Sequence, residues 1–154
     1  MQEAFSLARL GNATAVAYLL DHEALDPNAV DERGFSLLMV AAYNNQVPVT
    51  ELLLSRGADP EGTDARGNTI LMGMAFKGHV APAKALLEAG ADVNARGPQR
   101  TTALHMAAQF GHVPLARVLV AAGADTDAQD GNGRTAAELA RERGLPEEEV
   151  AVFA

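Results

Sequence analysis

Apolar residues recur along this chain at a fixed interval of 33 residues, and small and polar residues repeat between them in the same order. Leucine occupies two positions of the pattern, and the triplet Gly-Ala-Asp returns at the same interval. The first leucine position is Leu38, Leu71 and Leu104, the second is Leu53, Leu86 and Leu119, and the triplets begin at Gly57, Gly90 and Gly123. A fixed period of this length indicates stacked supersecondary units, none of which buries its apolar face alone.

Within one unit, the apolar positions predict two short helices. In residues 97–129, one helix carries a stripe of small apolar side chains: Ala103, Leu104, Ala107 and Ala108. Thr102 precedes this run and is expected to be the helix N-cap. A second helix, near Pro114 to Ala122, has proline at its start, where the missing N–H costs least. Gly123 then ends that helix in the left-handed conformation, which a residue without a Cβ adopts easily.

The segment TTALHMAAQFGHVPLARVLVAAGADTDAQD, residues 101–130, resembles the ankyrin repeat, a β-turn followed by two helices with a Thr-Pro-Leu-His signature. His105 alone keeps the signature histidine, and the proline is absent from every unit. The resemblance implies an all-α ankyrin solenoid of about five stacked helix-turn-helix units joined by β-hairpin loops. We expect one domain over 1–154, with repeats over about 1–30, 31–63, 64–96, 97–129 and 130–154.

The two ends of the array depart from the repeat in ways that suit capping units. The exit of the first repeat, LLDHEALDPNAVD, is one residue longer than the later exits and lacks their glycine, so its helix should end differently. The last segment, RGLPEEEVAVFA, places three glutamates in the first turn of a final helix, where the helix dipole favours negative charge. Val150, Val152 and Phe153 are expected to cover the last layer.

One hairpin breaks the rule that the others follow. Gly34, Gly67 and Gly133 lie at equivalent tips, but the third of the four tips, RGPQRT, has Arg100 at that position. Its glycine and proline come earlier in the turn, so the backbone cannot repeat the geometry that glycine permits. We predict a distorted or mobile hairpin that carries Gln99 and Arg100 into the mouth of a binding groove. The alternative is a harmless turn variant.

Composition, charge and motifs argue against membrane, metal-binding and catalytic functions. The chain has a formal charge of −8 and no cysteine, a signal peptide is not evident, and no run of 18 apolar residues is present. We therefore expect a cytoplasmic protein with no membrane partner. His79 and His112 are one repeat apart, which is too far for one metal ion, and no catalytic triad, calcium loop or phosphate loop matches. Neither an enzyme nor a bound cofactor or metal is expected.

If the chain has no reactive site, its function lies in surface recognition. The resemblance implies that the hairpin tips and one side of the first helices line a concave groove. We predict that these residues contact a partner: Arg33, Phe35, Tyr43, Arg66, Asn68, Phe76, Lys77, Gln99, Arg100, Gln109, Phe110, Arg134 and Arg143. With Arg9, Glu32 and Glu142 included, the groove positions carry seven basic and two acidic residues. An electropositive strip within an acidic molecule favours an acidic partner.

Four of the seven aromatic residues lie in this groove set, and aromatic and arginine anchors are typical of binding hot spots. The alternative is that each ring packs against a neighbouring hairpin. The leading hypothesis is a monomeric protein-interaction module that binds an acidic protein. The chain resembles short, single-domain ankyrin proteins of bacteria, which implies an accessory or inhibitory partner of a specific enzyme or toxin as one alternative. Nucleic-acid binding through the basic, aromatic strip is another, although the net charge opposes it.

Overall fold

The computed structural model describes residues 1–154 and consists of five pairs of helices stacked side by side. The pairs are α1 (Gln2–Leu10) with α2 (Ala13–His22), α3 (Leu37–Tyr43) with α4 (Val47–Ser55), α5 (Ile70–Lys77) with α6 (Val80–Glu88), α7 (Ala103–Phe110) with α8 (Val113–Ala121), and α9 (Ala136–Arg143) with α10 (Glu147–Val150). The first helices pack in the order α1, α3, α5, α7, α9, and the second helices form a parallel layer. The all-α repeat solenoid predicted from the sequence is confirmed.

Four of the first helices begin at a hydroxyl side chain, because each hydroxyl accepts a hydrogen bond from a backbone N–H three residues later. The caps are Ser36, Thr69, Thr102 and Thr135. At Thr102 the ring of His105 completes the cap by accepting from the threonine N–H. The opposite ring nitrogen, Nε2, donates to the carbonyl of Arg134 at 3.0 Å. His105 therefore connects one repeat to the hairpin of the next.

The helix ends also follow the sequence prediction. Gly57, Gly90 and Gly123 follow the second helices with φ of 84°, 95° and 94°. In the first repeat, Ala24 takes the left-handed conformation with a φ of 52°, so that helix does end differently. At the other end, Glu147, Glu148 and Glu149 form the first turn of α10, and Val150 and Phe153 are fully buried.

The apolar side chains form one continuous core of 36 buried residues that runs from Ala4 to Phe153. The repeats are also joined by a regular set of hydrogen bonds, from the residue before a second helix to the C-terminal end of the first helix in the preceding repeat. Gln46 donates to the carbonyl of Arg9 at 2.9 Å, and His112 donates to the carbonyl of Phe76 at 3.0 Å. His79 donates to Tyr43 in the same way at 3.3 Å. Both histidines are thus hydrogen-bonded structural residues. No helix in the structure combines the length and the apolar character that crossing a bilayer needs.

Three of the four hairpin tips share one construction. Asp31, Asp64 and Asp130 each accept hydrogen bonds from two backbone N–H groups of their own turn, at 2.8–3.0 Å. The glycine three residues later has a positive φ in every case. The first two hairpins also contain an isolated antiparallel bridge, Val30 with Ser36 and Thr63 with Thr69.

The remaining hairpin, 97–101, is distorted, as predicted. Gly97 replaces the aspartate, and Gln99 and Arg100 both have positive φ, 52° and 57°. This backbone turns the carbonyl of Gln99 towards the next hairpin, where it accepts a hydrogen bond from the N–H of Gly131 at 2.6 Å. Arg96 adds hydrogen bonds to the carbonyls of Arg100 and Gln129, each at 2.7 Å. The tip is therefore held against its neighbour.

Candidate concave binding site

Two adjacent clefts between the hairpins and the first helices contain most of the predicted contact residues. The N-terminal cleft, of about 400 Å³, is lined by Arg9, Arg33, Phe35, Met39, Val40, Tyr43, Asn44, Asp64, Ala65 and Arg66. The central cleft, of about 330 Å³, is lined by Tyr43, Asp64, Arg66, Asn68, Met72, Gly73, Phe76, Met106, Gln109 and Phe110. Because the two clefts share Tyr43, Asp64 and Arg66, they form one continuous groove. A third cleft, of about 430 Å³, lies beside them at α1, shares Arg9 and Arg33, and also contains Asp31 and Glu32.

The residues predicted to contact a partner fall into two groups. The structure brings together Arg33, Phe35, Tyr43, Arg66, Asn68, Phe76, Gln109 and Phe110 along this groove. It places Lys77, Gln99, Arg100, Arg134 and Arg143 outside both clefts. The groove is therefore concentrated in the first two hairpins and helices α3, α5 and α7, and the C-terminal part of the predicted surface is separate from it.

The aromatic rings are less exposed than the sequence suggested. Of the four predicted rings, Phe76 is exposed at 43%, and the other three are half-buried. Phe35 and Tyr43 pack partly against the core, and Phe110 meets Phe76 edge to face with ring centroids 4.7 Å apart. Each ring thus packs against other side chains of the array and also lines the groove, and the role of these rings in binding stays a prediction.

Tyr43 owes its position to a glycine on the next helix. A Cβ added to Gly73 of α5 would lie 2.3 Å from the Cε2 atom of Tyr43, so only glycine lets the ring lie against that helix. Burial raises the pKa of Tyr43, and the negative charge of Asp64 raises it further. The phenol therefore stays neutral at physiological pH and can donate a hydrogen bond to a ligand in the groove.

Asp64 is the acidic residue on the groove floor. Burial alone would raise its pKa, but hydrogen bonds from the side chain and backbone of Asn68 and from the backbone of Arg66, with the charge of Arg66, outweigh burial and lower the pKa. Its carboxylate is thus ionised and already hydrogen-bonded within the chain. Three arginines and this one aspartate line the N-terminal cleft, which leaves an excess of two positive charges.

The charge at the far end of the array is different. Arg134 forms ion pairs with Asp130 at 3.1 Å and with Glu142 at 3.0 Å. The charge balance counted from the sequence does not include the equivalent hairpin aspartates Asp31, Asp64 and Asp130. With Asp31, Asp64 and Asp130 included, the groove positions carry seven basic and five acidic residues, so the positive excess of the strip is smaller than expected.

Sequence reasoning missed several residues on the groove floor. Val40, Gly73 and Met106 occupy equivalent positions one repeat apart, and the side chain changes from one repeat to the next. This variation at a fixed position of the repeat is the signal in the sequence that points to them. No cluster of three or more His, Cys, Asp or Glu residues in the structure could hold a metal ion.

Comparison with known families agrees with this architecture. A family model for ankyrin repeats in many copies matches residues 19–71 and 86–140. A model of the single ankyrin repeat matches residues 66–98. A search of curated proteins found no match to this chain.

Proposed function

Since the chain belongs to the ankyrin repeat family, we propose that it is a non-enzymatic module that binds another protein through its concave groove. Ankyrin repeats are in general protein-interaction modules, and stacked repeats create extended concave surfaces of this kind. The observation that carries the proposal is the groove itself, where half-buried rings and unpaired arginines lie side by side. Those residue types dominate binding hot spots.

The charge of the groove supports a partner with an acidic surface. Arg9 and Arg66 have no ion pair within the chain, although the whole molecule carries a charge of −8. A local positive field of this kind orients and attracts an acidic surface, and a guanidinium can bind a carboxylate through two parallel hydrogen bonds. The continuous core supports residues 1–154 acting as one binding unit, and we propose that this unit is a monomer.

The effect of binding follows from the rigidity of the array. A surface without reactive groups acts on a partner by stabilising it or by covering part of it. If the partner is an enzyme or a toxin, this chain would be its accessory or its inhibitor.

Affinity capture from a nuclease-treated lysate of the native host tests the proposal. The groove variant is Arg66→Ala/Phe76→Ala. The matched control is Tyr18→Ala/Arg117→Ala, which removes the same residue classes from exposed positions outside the groove. We expect the wild type and the control to capture the same partner and the groove variant to lose it. In a titration with that purified partner, the groove variant should bind at least about tenfold more weakly.

Folding must be checked before the capture is interpreted. Both variants should keep the circular dichroism spectrum of the wild type, since the replaced side chains are exposed at the surface. Equal capture by all three proteins, or loss of the partner after nuclease treatment, would contradict protein binding through the groove.

A further inference from the structure

We propose that the N-terminal cleft binds an extended acidic segment of the partner. One carboxylate of that segment would lie between Arg33 and Arg66, and the apolar side chain of a neighbouring residue of the segment would pack against Phe35 and Tyr43. This inference rests on the proposed function and narrows it to one chemical class of ligand.

The first argument is that three arginines without a close ion pair lie together in one cleft. Elsewhere Arg56, Arg134 and Arg141 pair with carboxylates. Arg100, Arg117 and Arg143 are also unpaired, but none of them lines the cleft. In the cleft, Arg9 and Arg66 have no carboxylate within 4.0 Å, and Arg33 reaches Asp31 only at 3.8 Å with 68% of its side chain exposed. The cleft therefore holds guanidinium groups whose hydrogen-bond donors remain available to a ligand.

The second argument is that the acidic residues nearby do not use these donors. Asp64 accepts two backbone hydrogen bonds at 2.9 Å through Oδ1 and one from Asn68 at 3.0 Å through Oδ2. Asp31 is held in the same way by two N–H groups of its own turn. The Asp64 carboxylate is therefore fully used by its hairpin, and Asp31 leaves one oxygen that reaches Arg33 only at 3.8 Å, so the arginines can bind a carboxylate from outside the chain.

The third argument is the apolar surface beside the charges. The guanidinium of Arg33 lies over the ring of Phe35, 5.3 Å from its centroid, which holds the arginine in place while its edge remains free. Val40 and the half-buried ring of Tyr43 continue this surface. A volume of about 400 Å³ lies at the lower end of the range for ligand pockets, so it suits side chains of a segment and not a folded surface.

Net charge favours a single carboxylate over a polyanion. A nucleic acid approaching the cleft meets the field of a molecule with a charge of −8, because its phosphates extend well beyond the local arginines. One carboxylate beside an apolar residue is placed within a few ångströms of the guanidinium groups, well inside the screening length of about 8–10 Å. The local positive charge therefore decides its binding.

The test begins with a selection from random ten-residue peptides displayed on phage, with the full chain as bait. We expect enrichment of Asp or Glu close to Leu, Ile, Val or Phe. The best sequence is then synthesised with each acidic residue present or replaced by its amide, and affinities are measured by fluorescence anisotropy. The amide peptide should bind at least about tenfold more weakly, because it loses charge-assisted hydrogen bonds to arginine.

Two variants with the same change of charge locate the binding. In Arg33→Gln/Arg66→Gln we expect the affinity of the acidic peptide to fall at least about tenfold and the difference between acid and amide peptides to disappear. The control, Lys84→Gln/Arg117→Gln, removes two exposed cations on α6 and α8 and should change the affinity less than about twofold. Thermal melts of both variants establish that they are folded.

The outcomes separate this inference from the proposed function. Selected peptides without acidic residues, or an affinity that survives Arg33→Gln/Arg66→Gln, would overturn the acidic-segment inference. The groove proposal would still stand if Arg66→Ala/Phe76→Ala lost the captured partner. A selection that enriches no sequence, or a labelled decathymidylate that binds more tightly than the acidic peptide at the same salt concentration, also counts against the inference. If Arg66→Ala/Phe76→Ala and Arg33→Gln/Arg66→Gln both still capture the partner, the acidic-segment inference and the proposed function are both overturned.

Discussion

Replacing Arg100 by glycine should stabilise this protein. Arg100 has a φ of 57° at a position where the other three hairpins have Gly34, Gly67 and Gly133, with φ of 78–85°. Its side chain is exposed and makes no hydrogen bond or ion pair, and the bond from Arg96 goes to its backbone carbonyl. The substitution therefore relieves the backbone without removing a side-chain contact.

The size of the effect follows from two opposing contributions. A non-glycine residue in the left-handed region costs about 1–2 kcal/mol, and glycine makes the unfolded chain more flexible, which costs about 0.4–1 kcal/mol. We expect Arg100→Gly to raise the free energy of unfolding by about 0.5–1 kcal/mol. For a chain of this length, that corresponds to a rise in Tm of about 1–4 °C.

Urea unfolding followed by circular dichroism measures this difference, and the m-value should stay unchanged because the buried surface is the same. The converse variant, Gly67→Arg, places the same side chain on an undistorted tip with a φ of 85° and should destabilise the fold by a similar amount. A control, Arg117→Gly, removes an exposed arginine from the middle of α8 and should lower stability by about 1 kcal/mol.

Unchanged or reduced stability in Arg100→Gly would refute the reasoning. It would mean that the left-handed turn is not strained or that the arginine side chain supports the hairpin. If the variant is more stable and also binds the partner more weakly, the strained tip is retained for binding. If it is more stable with unchanged affinity, the tip is a harmless turn variant.

Three further predictions concern single residues. Gly73→Ala should displace the ring of Tyr43 and shift its NMR signals. Because of this displacement, the free energy of unfolding should not rise by the roughly 1 kcal/mol that alanine otherwise gains over glycine in a helix. Burial lowers the folded-state pKa of His105, although hydrogen bonding and the charge of Asp130 oppose the shift. The neutral ring therefore contributes fully to the free energy of unfolding above pH 6.5, and this contribution is lost as the pH falls below that value. Urea unfolding between pH 7 and pH 5 should show this slope, and His105→Gln should reduce it. Asp130→Asn should cost about 1–2 kcal/mol, since the charged acceptor for Arg134 is lost, whereas Asp127→Asn at an exposed position should leave stability within about 0.5 kcal/mol.

The fold was predictable because its signals are local and repeat. A threonine before an apolar run, a proline in the first turn and a glycine after the last turn each have one favoured backbone position, and the period places them in every unit. The same logic identified the distorted hairpin, since Arg100 stands where the period requires glycine. The direction of the distortion was not predictable, because it depends on Gly97 and on the space beside Gly131 in the next hairpin.

The groove was only partly predictable, because side-chain pairing depends on geometry that crosses the repeats. Arg134 and Glu142 are eight residues apart and meet only because the hairpin folds over α9. Tyr43 contacts Gly73 thirty residues later, and nothing in either local sequence shows that the ring needs a missing Cβ. A repeat pattern therefore predicts the position of a residue in the array more reliably than it predicts the contacts of its side chain.

The hydrogen bond between the Gln99 carbonyl and the Gly131 N–H limits which repeats of this chain can be exchanged for others. Units of repeat proteins are often exchanged, lengthened or duplicated because each contacts only its neighbours through similar surfaces. Here a Cβ at residue 131 would lie 3.0 Å from that carbonyl oxygen. A transplanted last unit with a side chain at this place would require the preceding turn to shift by a few tenths of an ångström, so the last unit fits best when it keeps Gly131 or is moved together with that turn.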